Sequence, residues 1–105
     1  MSITQQLSAI RQAITEGRIL WKKHALQRMM ERAISRQSVK EAVLYGAIIE
    51  QYPNDYPIPS LLIAAPIPTP LHVVLAWNAD TSECHIITAY PPDITHFESD
   101  LITRR

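Results

Sequence analysis

Apolar residues recur at Ile3, Leu7, Ile10 and Ile14, the spacing of one helix face, and Gly17 is placed to end that helix. The short apolar run Ile19-Leu20-Trp21 predicts an extended segment. From Lys22 to Arg32 the helical period returns, and Leu26, Met29, Met30 and Ala33 fall on the side expected to meet a core. Ser35 is a favourable N-cap for a third helix. Its buried stripe is Val39, Ala42 and Val43, and Gly46 ends it.

Beyond Gly46 the texture changes. Ala47 to Tyr52 reads as a strand and runs into a proline-rich segment, 53–59, that neither a helix nor a central strand tolerates. Ser60 to Ala65 is a second strand, followed by the rigid connector 66–70. Leu71 to Trp77 and Cys84 to Tyr90 are rich in β-branched and aromatic residues, and the polar residues 78–83 between them make a hairpin. Pro91 and Pro92 end the last strand, and Asp93 to Arg105 is expected to be a short helix or an irregular arm. Helices first and strands afterwards predict a single α+β domain over residues 1–105, with about four antiparallel strands.

Composition narrows the class. Hydrophobic residues make up 47% of the 105, enough to fill one core. No apolar run approaches the roughly 18–20 residues of a membrane span, and residues 1–12 do not resemble a secretory signal. Cys84 is the only cysteine, which excludes an internal disulfide and fits a reducing cytoplasm. The four histidines have no ligand-like spacing to one another or to Cys84, so neither a metal nor another cofactor is expected.

The net charge is zero, which argues against a dedicated nucleic-acid binder. Its distribution is uneven, however. Residues 1–50 hold eight Lys/Arg and four Asp/Glu, whereas residues 51–105 hold two and six. From Arg18 to Lys40 seven basic residues face Glu31 alone, a local patch that attracts polyanions.

His24, Arg28 and Arg32 are spaced i, i+4, i+8 and share an arc of about 80° on the second helix. Histidine exchanges a proton near neutral pH, and each arginine offers a planar fork to phosphate oxygens. A solvated polar face, with Glu31 relieving the repulsion, is the plainer explanation of the same residues. On the hairpin, strand alternation puts Ile86, Thr88 and Tyr90 on one face, and one of the two register parities sets His72 across from Thr88. Trp21, Trp77 and Cys84 read as core residues, whereas His85 and His96 read as peripheral.

The run from His24 to Ser35, HALQRMMERAIS, resembles the opening signature of the family catalogued as domain of unknown function 4258. The passage Tyr45 to Pro53, the strand Leu71-His72-Val73-Val74, and Ile86 to Tyr90 followed by Pro91 and Asp93 are similar to later motifs of that family. The resemblance covers about residues 19–105, with residues 1–17 as an N-terminal helix. It implies a prokaryotic protein with a RelE/ParE-like fold, helices packed on one side of a curved antiparallel sheet. It also implies a metal-independent RNA cleavage site between a helix and the sheet, in a toxin restrained by a cognate antitoxin. Position by position, the catalytic candidates are His24, Arg28, Thr88 and Tyr90. Arg32, Lys23 and His72 are candidates for holding RNA. The family pattern favours glycine where this chain has Ala33, and alanine there predicts a different turn between the helices. The alternative is a non-catalytic interaction module with the same fold, pairing as a homodimer through a sheet edge or with another protein.

Overall fold

In the computed structural model, residues 2–66, 69–93 and 101–104 are described. The elements are α1 (Ile3–Glu16), β1 (Ile19–Trp21), α2 (Lys23–Glu31), α3 (Arg36–Tyr45), β2 (Ala47–Tyr52), β3 (Ser60–Ala65), β4 (Leu71–Asn78) and β5 (Glu83–Tyr90). Local chemistry explains the helix ends. Ser2 and Gln5 form a reciprocal capping box at the start of α1, each side chain accepting from the other's backbone N–H. At its end the N–H of Arg18 donates to Ala13 O and that of Gly17 to Ile14 O, with Gly17 at φ +78°. This is a Schellman closure on a glycine. Ser35 caps α3 by accepting from the N–H of Ser38.

The end of α2 repeats the α1 closure with alanine in the glycine position. The N–H of Ile34 donates to Met29 O and that of Ala33 to Met30 O, and Ala33 sits at φ +56°. The different turn expected from alanine is therefore not made. The chain takes the left-handed turn at a steric cost of about 1–2 kcal/mol. Ala33→Gly is expected to raise stability by up to about 1 kcal/mol, since glycine relieves the strain but adds backbone entropy to the unfolded chain. Urea unfolding checks this, and a destabilised variant would show that Ala33 is not strained.

The strands form one open sheet in the order β1-β5-β4-β3-β2. Three of the pairs are antiparallel, but β1 runs parallel to β5, with Ile19, Leu20 and Trp21 opposite Cys84, His85 and Ile86. The expected four-stranded antiparallel sheet is thus a five-stranded mixed one. The extra strand is the extended segment before α2, which the N–H of Cys84 anchors by donating to Arg18 O at 3.0 Å.

One face of the sheet carries Leu61, Ile63, Leu71, Val73, Leu75 and Ile86, and all three helices pack on it. Burying each such side chain contributes roughly 1.5–3 kcal/mol. From the helices come Ile10, Ala13 and Ile14 of α1, Ala25 and Met29 of α2, and Val39, Ala42 and Val43 of α3. The stripe expected for α2 is shifted: Met30 is 83% exposed and Ala33 is also exposed, while Ala25 replaces them in the core. Arg11 of α1 closes the end of α3, donating from Nη2 to Gly46 O at 2.7 Å and from Nε to Val43 O at 3.2 Å.

Two bulges set which residues face away from the helices. Ile49 is the extra residue in β2, between the pairs Ile48–Ile63 and Glu50–Leu62. Ile87 is the extra residue in β5, between Ile86–Leu75 and Thr88–Val74. Each bulge reverses the alternation beyond it. Ile86 consequently faces the helices while Thr88 and Tyr90 face the other way, so the three do not share a face. The register also sets His72 across from Tyr90, not Thr88. The distal face reads Glu50, Leu62, Val74 and Thr88 in one row, and Ala64, His72 and Tyr90 in the next.

Candidate functional site

The buried direction of α2 runs through Ala25 and Met29. At about 100° per residue, His24, Arg28 and Arg32 flank that direction on one side and Leu26 on the other. The stripe winds towards the helix–sheet contact, from His24 at about 120° from the buried direction, through Arg28 at about 80°, to Arg32 at about 40°. Its last member touches the sheet: Arg32 Nη1 donates to Ala89 O at 2.8 Å and to Thr88 Oγ1 at 3.4 Å. β1 ends opposite Ile86, so among the described residues no strand pairs with that side of β5 from Ile87 onward, and Arg32 satisfies one carbonyl there.

His24 and Arg28 lie two turns and one turn before Arg32 on the same side of α2. Both are exposed, and Arg28 is ion-paired with Glu31 at 3.3 Å. Lys23 is exposed and about 140° from the buried direction by helical geometry, away from β5. Arg36, at the start of α3, places its guanidinium carbon 5.7 Å from the Trp21 ring centre. Trp77 is buried in the core as expected, whereas Trp21 is only half-buried. Arg32 and Thr88 are thus the sequence candidates that the structure joins across the helix–sheet boundary.

Tyr90 and His72 belong to a second cluster on the distal face. His72 is 1% exposed, and its Nε2 lies 2.8 Å from Leu101 O. A carbonyl only accepts, so the proton sits on Nε2 and Nδ1 accepts from the Tyr90 hydroxyl at 3.4 Å. The two rings meet edge to face with centres 5.4 Å apart. One row away, Arg104 holds both carboxylate oxygens of Glu50, at 2.8 and 2.9 Å, and the Tyr52 hydroxyl also donates to Glu50. Residues 101–104 therefore lie over this part of the sheet.

Charge and burial tune these groups. The hydrogen bonds from Arg104, aided by Tyr52, hold the Glu50 carboxyl below its usual range against the opposing effect of burial. Burial, with Glu50 beside it, pushes Tyr52 up to about 12, and burial raises Tyr90. Burial also lowers the pKa of His72, partly offset by the bond to Leu101. In the window just below the ordinary value of 6.5 the unfolded chain takes up a proton that folded His72 refuses. His72 accordingly costs no stability above pH 6.5 and destabilises progressively as pH falls towards its folded pKa. Glu50 adds to the loss only lower, below about 4.5. Unfolding free energy measured in urea is expected to fall between pH 7 and pH 5, and to fall less steeply in His72→Asn. Equal slopes in the two proteins would exclude His72 as the source.

Cys84 is fully buried, and burial pushes its thiol up to about 12, which makes it an unreactive core residue. His85 is half-buried opposite Ala76, with Nε2 3.6 Å from Glu83. His96 and most of the expected C-terminal arm lie outside the described residues. Among the described residues no three His, Cys, Asp or Glu side chains gather as a metal site, and no helix is long and apolar enough to cross a membrane. Glu50, Tyr52 and Arg104 were missed as site residues. An acidic residue inside the apolar strand Ala47–Tyr52 is the signal that marks Glu50, whereas nothing in the sequence links it to Arg104.

The fold and this boundary define an α+β protein with three described helices on one side of an open mixed sheet and a basic stripe at the sheet's edge. The chain belongs to the family described as Domain of unknown function (DUF4258), whose model matches residues 21–91. That span begins in β1, includes α2 and closes just after β5, so it contains the junction of Arg32 with Thr88 and Ala89. No curated protein and no solved structure matches the chain significantly.

Proposed function

We propose that this protein is a small toxin-type endoribonuclease of RelE/ParE-like architecture that cleaves RNA without a metal ion. The observation that carries the reading is the Arg32 bridge to Ala89 O and Thr88, which joins the end of the basic stripe to β5 beyond its pairing with β1. An RNA strand following the stripe down α2 to the sheet meets His24, Arg28 and Thr88 in succession. The substrate's own 2′-hydroxyl is the nucleophile. His24 moves the proton, as base towards the 2′-oxygen or as acid towards the departing 5′-oxygen, and Arg28 stabilises the charge on the phosphorane. Thr88 positions the strand, and Arg32 supports the site from the edge. Such an activity calls for a cognate antitoxin that covers the stripe in the cytoplasm.

The test is incubation of the purified chain with total RNA in EDTA, beside His24→Ala. Cleavage by the wild type alone supports the reading. Equal cleavage by both proteins removes His24 from the mechanism, and no cleavage by either removes the nuclease.

A second reading is favoured by how many of the polar groups are already partnered. Arg28 is paired with Glu31, Arg32 with the edge carbonyl of Ala89, and His72 and Glu50 with residues 101–104. In that reading the chain is a non-catalytic interaction module. Salt separates the two: RNA binding weakens steeply as salt rises, whereas an interface with an apolar centre does not.

A further inference from the structure

A cleft of about 270 Å³ opens beside Arg32, between the α2–α3 turn and the ends of β3, β4 and β5. It is smaller than the roughly 300–1,000 Å³ of pockets for drug-sized ligands and has room for one planar ring system. Its apolar lining includes Ile34, Ala42, Ala65, Leu71 and the rings of Pro70 and Pro91. Two polar side chains of α3 face it, Ser38 and Glu41, three residues apart and therefore on one side of the helix.

Both retain hydrogen-bonding capacity. Gln37 Nε2 donates to Glu41 Oε1 at 3.1 Å, and among the described residues Oε2 accepts nothing. Ser35 Oγ donates to Ser38 Oγ at 2.9 Å, which leaves the Ser38 proton to donate elsewhere. Arg32 lines the mouth of the cleft with Nη1 fixed on Ala89 O, so the basic stripe and the cleft share a wall.

We propose that this cleft binds one nucleobase splayed out of the RNA strand, and that Glu41 and Ser38 together select adenine or cytosine, whose exocyclic amino group lies beside an acceptor ring nitrogen. The inference rests on the RNA reading above. Single-stranded RNA is read in this way, by enclosing an unstacked base and hydrogen bonding to its edge. A carboxylate oxygen accepts from the N4 amino group of cytosine or the N6 amino group of adenine. Uracil offers only an N3–H between two carbonyl oxygens, and both of those repel the carboxylate. Ser38 supplies the donor for the ring nitrogen beside the amino group.

Fluorescence anisotropy with labelled 2′-O-methyl dodecamers of A, C or U tests this in EDTA, since blocking the 2′-hydroxyl prevents the proposed cleavage. The wild type is expected to bind the A and C oligomers about tenfold more tightly than the U oligomer. Glu41→Gln removes a negative charge and so tightens all three, but its amide also donates to uracil O4, and the preference is expected to shrink to within about twofold. The readout is therefore the ratio of affinities, with a melting curve to confirm that the half-exposed substitution folds. An unchanged ratio in Glu41→Gln, or salt-sensitive binding of all three oligomers equally by the wild type, overturns the base site and leaves the RNA reading standing. Absence of binding to every oligomer overturns both.

Discussion

Gly46→Ala is expected to destabilise the fold by about 3 kcal/mol or more, the upper end of what forced overpacking costs. The reason is space and not backbone preference, because Gly46 has φ −83° and ψ −175°, an extended conformation open to any residue. A methyl group there would lie 2.5 Å from Ala42 O, 2.7 Å from Ala64 O and 2.9 Å from Ile63 Cγ2. Two of the three neighbours are backbone oxygens, one in the last turns of α3 and one in β3. Neither can retreat without breaking its helix or its sheet. Moving Gly46 instead pulls its carbonyl from Arg11, which joins α1 to the same corner. Chemical denaturation measures the effect, and a loss under about 1 kcal/mol would mean that α3 and β3 separate easily. Gly17 makes the contrast, with φ +78° and nothing within 4 Å of an added methyl group. One glycine is required by crowding and the other by chain direction.

If the chain is the ribonuclease proposed above, His24→Ala is expected to lower its rate of RNA cleavage by about 10²–10⁴, the usual contribution of a positioned proton-transfer group. The substitution is well suited to the question. His24 is exposed, it has no hydrogen-bond partner among the described residues, and alanine is the better helix former. The variant should melt no lower than the wild type, so lost activity cannot be ascribed to lost structure. Binding to a cleavage-resistant RNA should change little, whereas Arg28→Ala should weaken it and reduce the salt slope by about 1. A His24→Ala protein that cleaves at the wild-type rate would move the chemistry elsewhere on the molecule.

The elements with strong local signals were legible in the sequence. The spacing from Ile3 to Ile14 with Gly17 predicts α1, and the apolar runs predict β2 and β3 with their bounds. What could not be read depends on contacts between distant residues or on phase. β1 has only three residues, and nothing near it announces a partner as far along the chain as Cys84 to Ile86. The bulges fall in the pairs Ile48-Ile49 and Ile86-Ile87, where two identical side chains stand together and composition cannot say which is the extra one. Once the phase is lost at the second of them, Thr88 and Tyr90 are put on the face of Ile86, which they do not share. The basic stripe fared better, because a helix of nine residues keeps its period. Its use at the sheet edge by Arg32 required the position of β5.

The parallel pairing of β1 with β5 also fixes an order of events while the chain is being made. Strands β2 to β5 follow one another and pair with their sequence neighbours, so they can assemble as they emerge. β1 leaves the ribosome early but has no partner until residues 84–86 arrive. At roughly 5–20 residues per second that wait lasts on the order of several seconds. During it Leu20 and Trp21 have no strand to pair with, so the first strand in the chain is the last to be joined to the sheet.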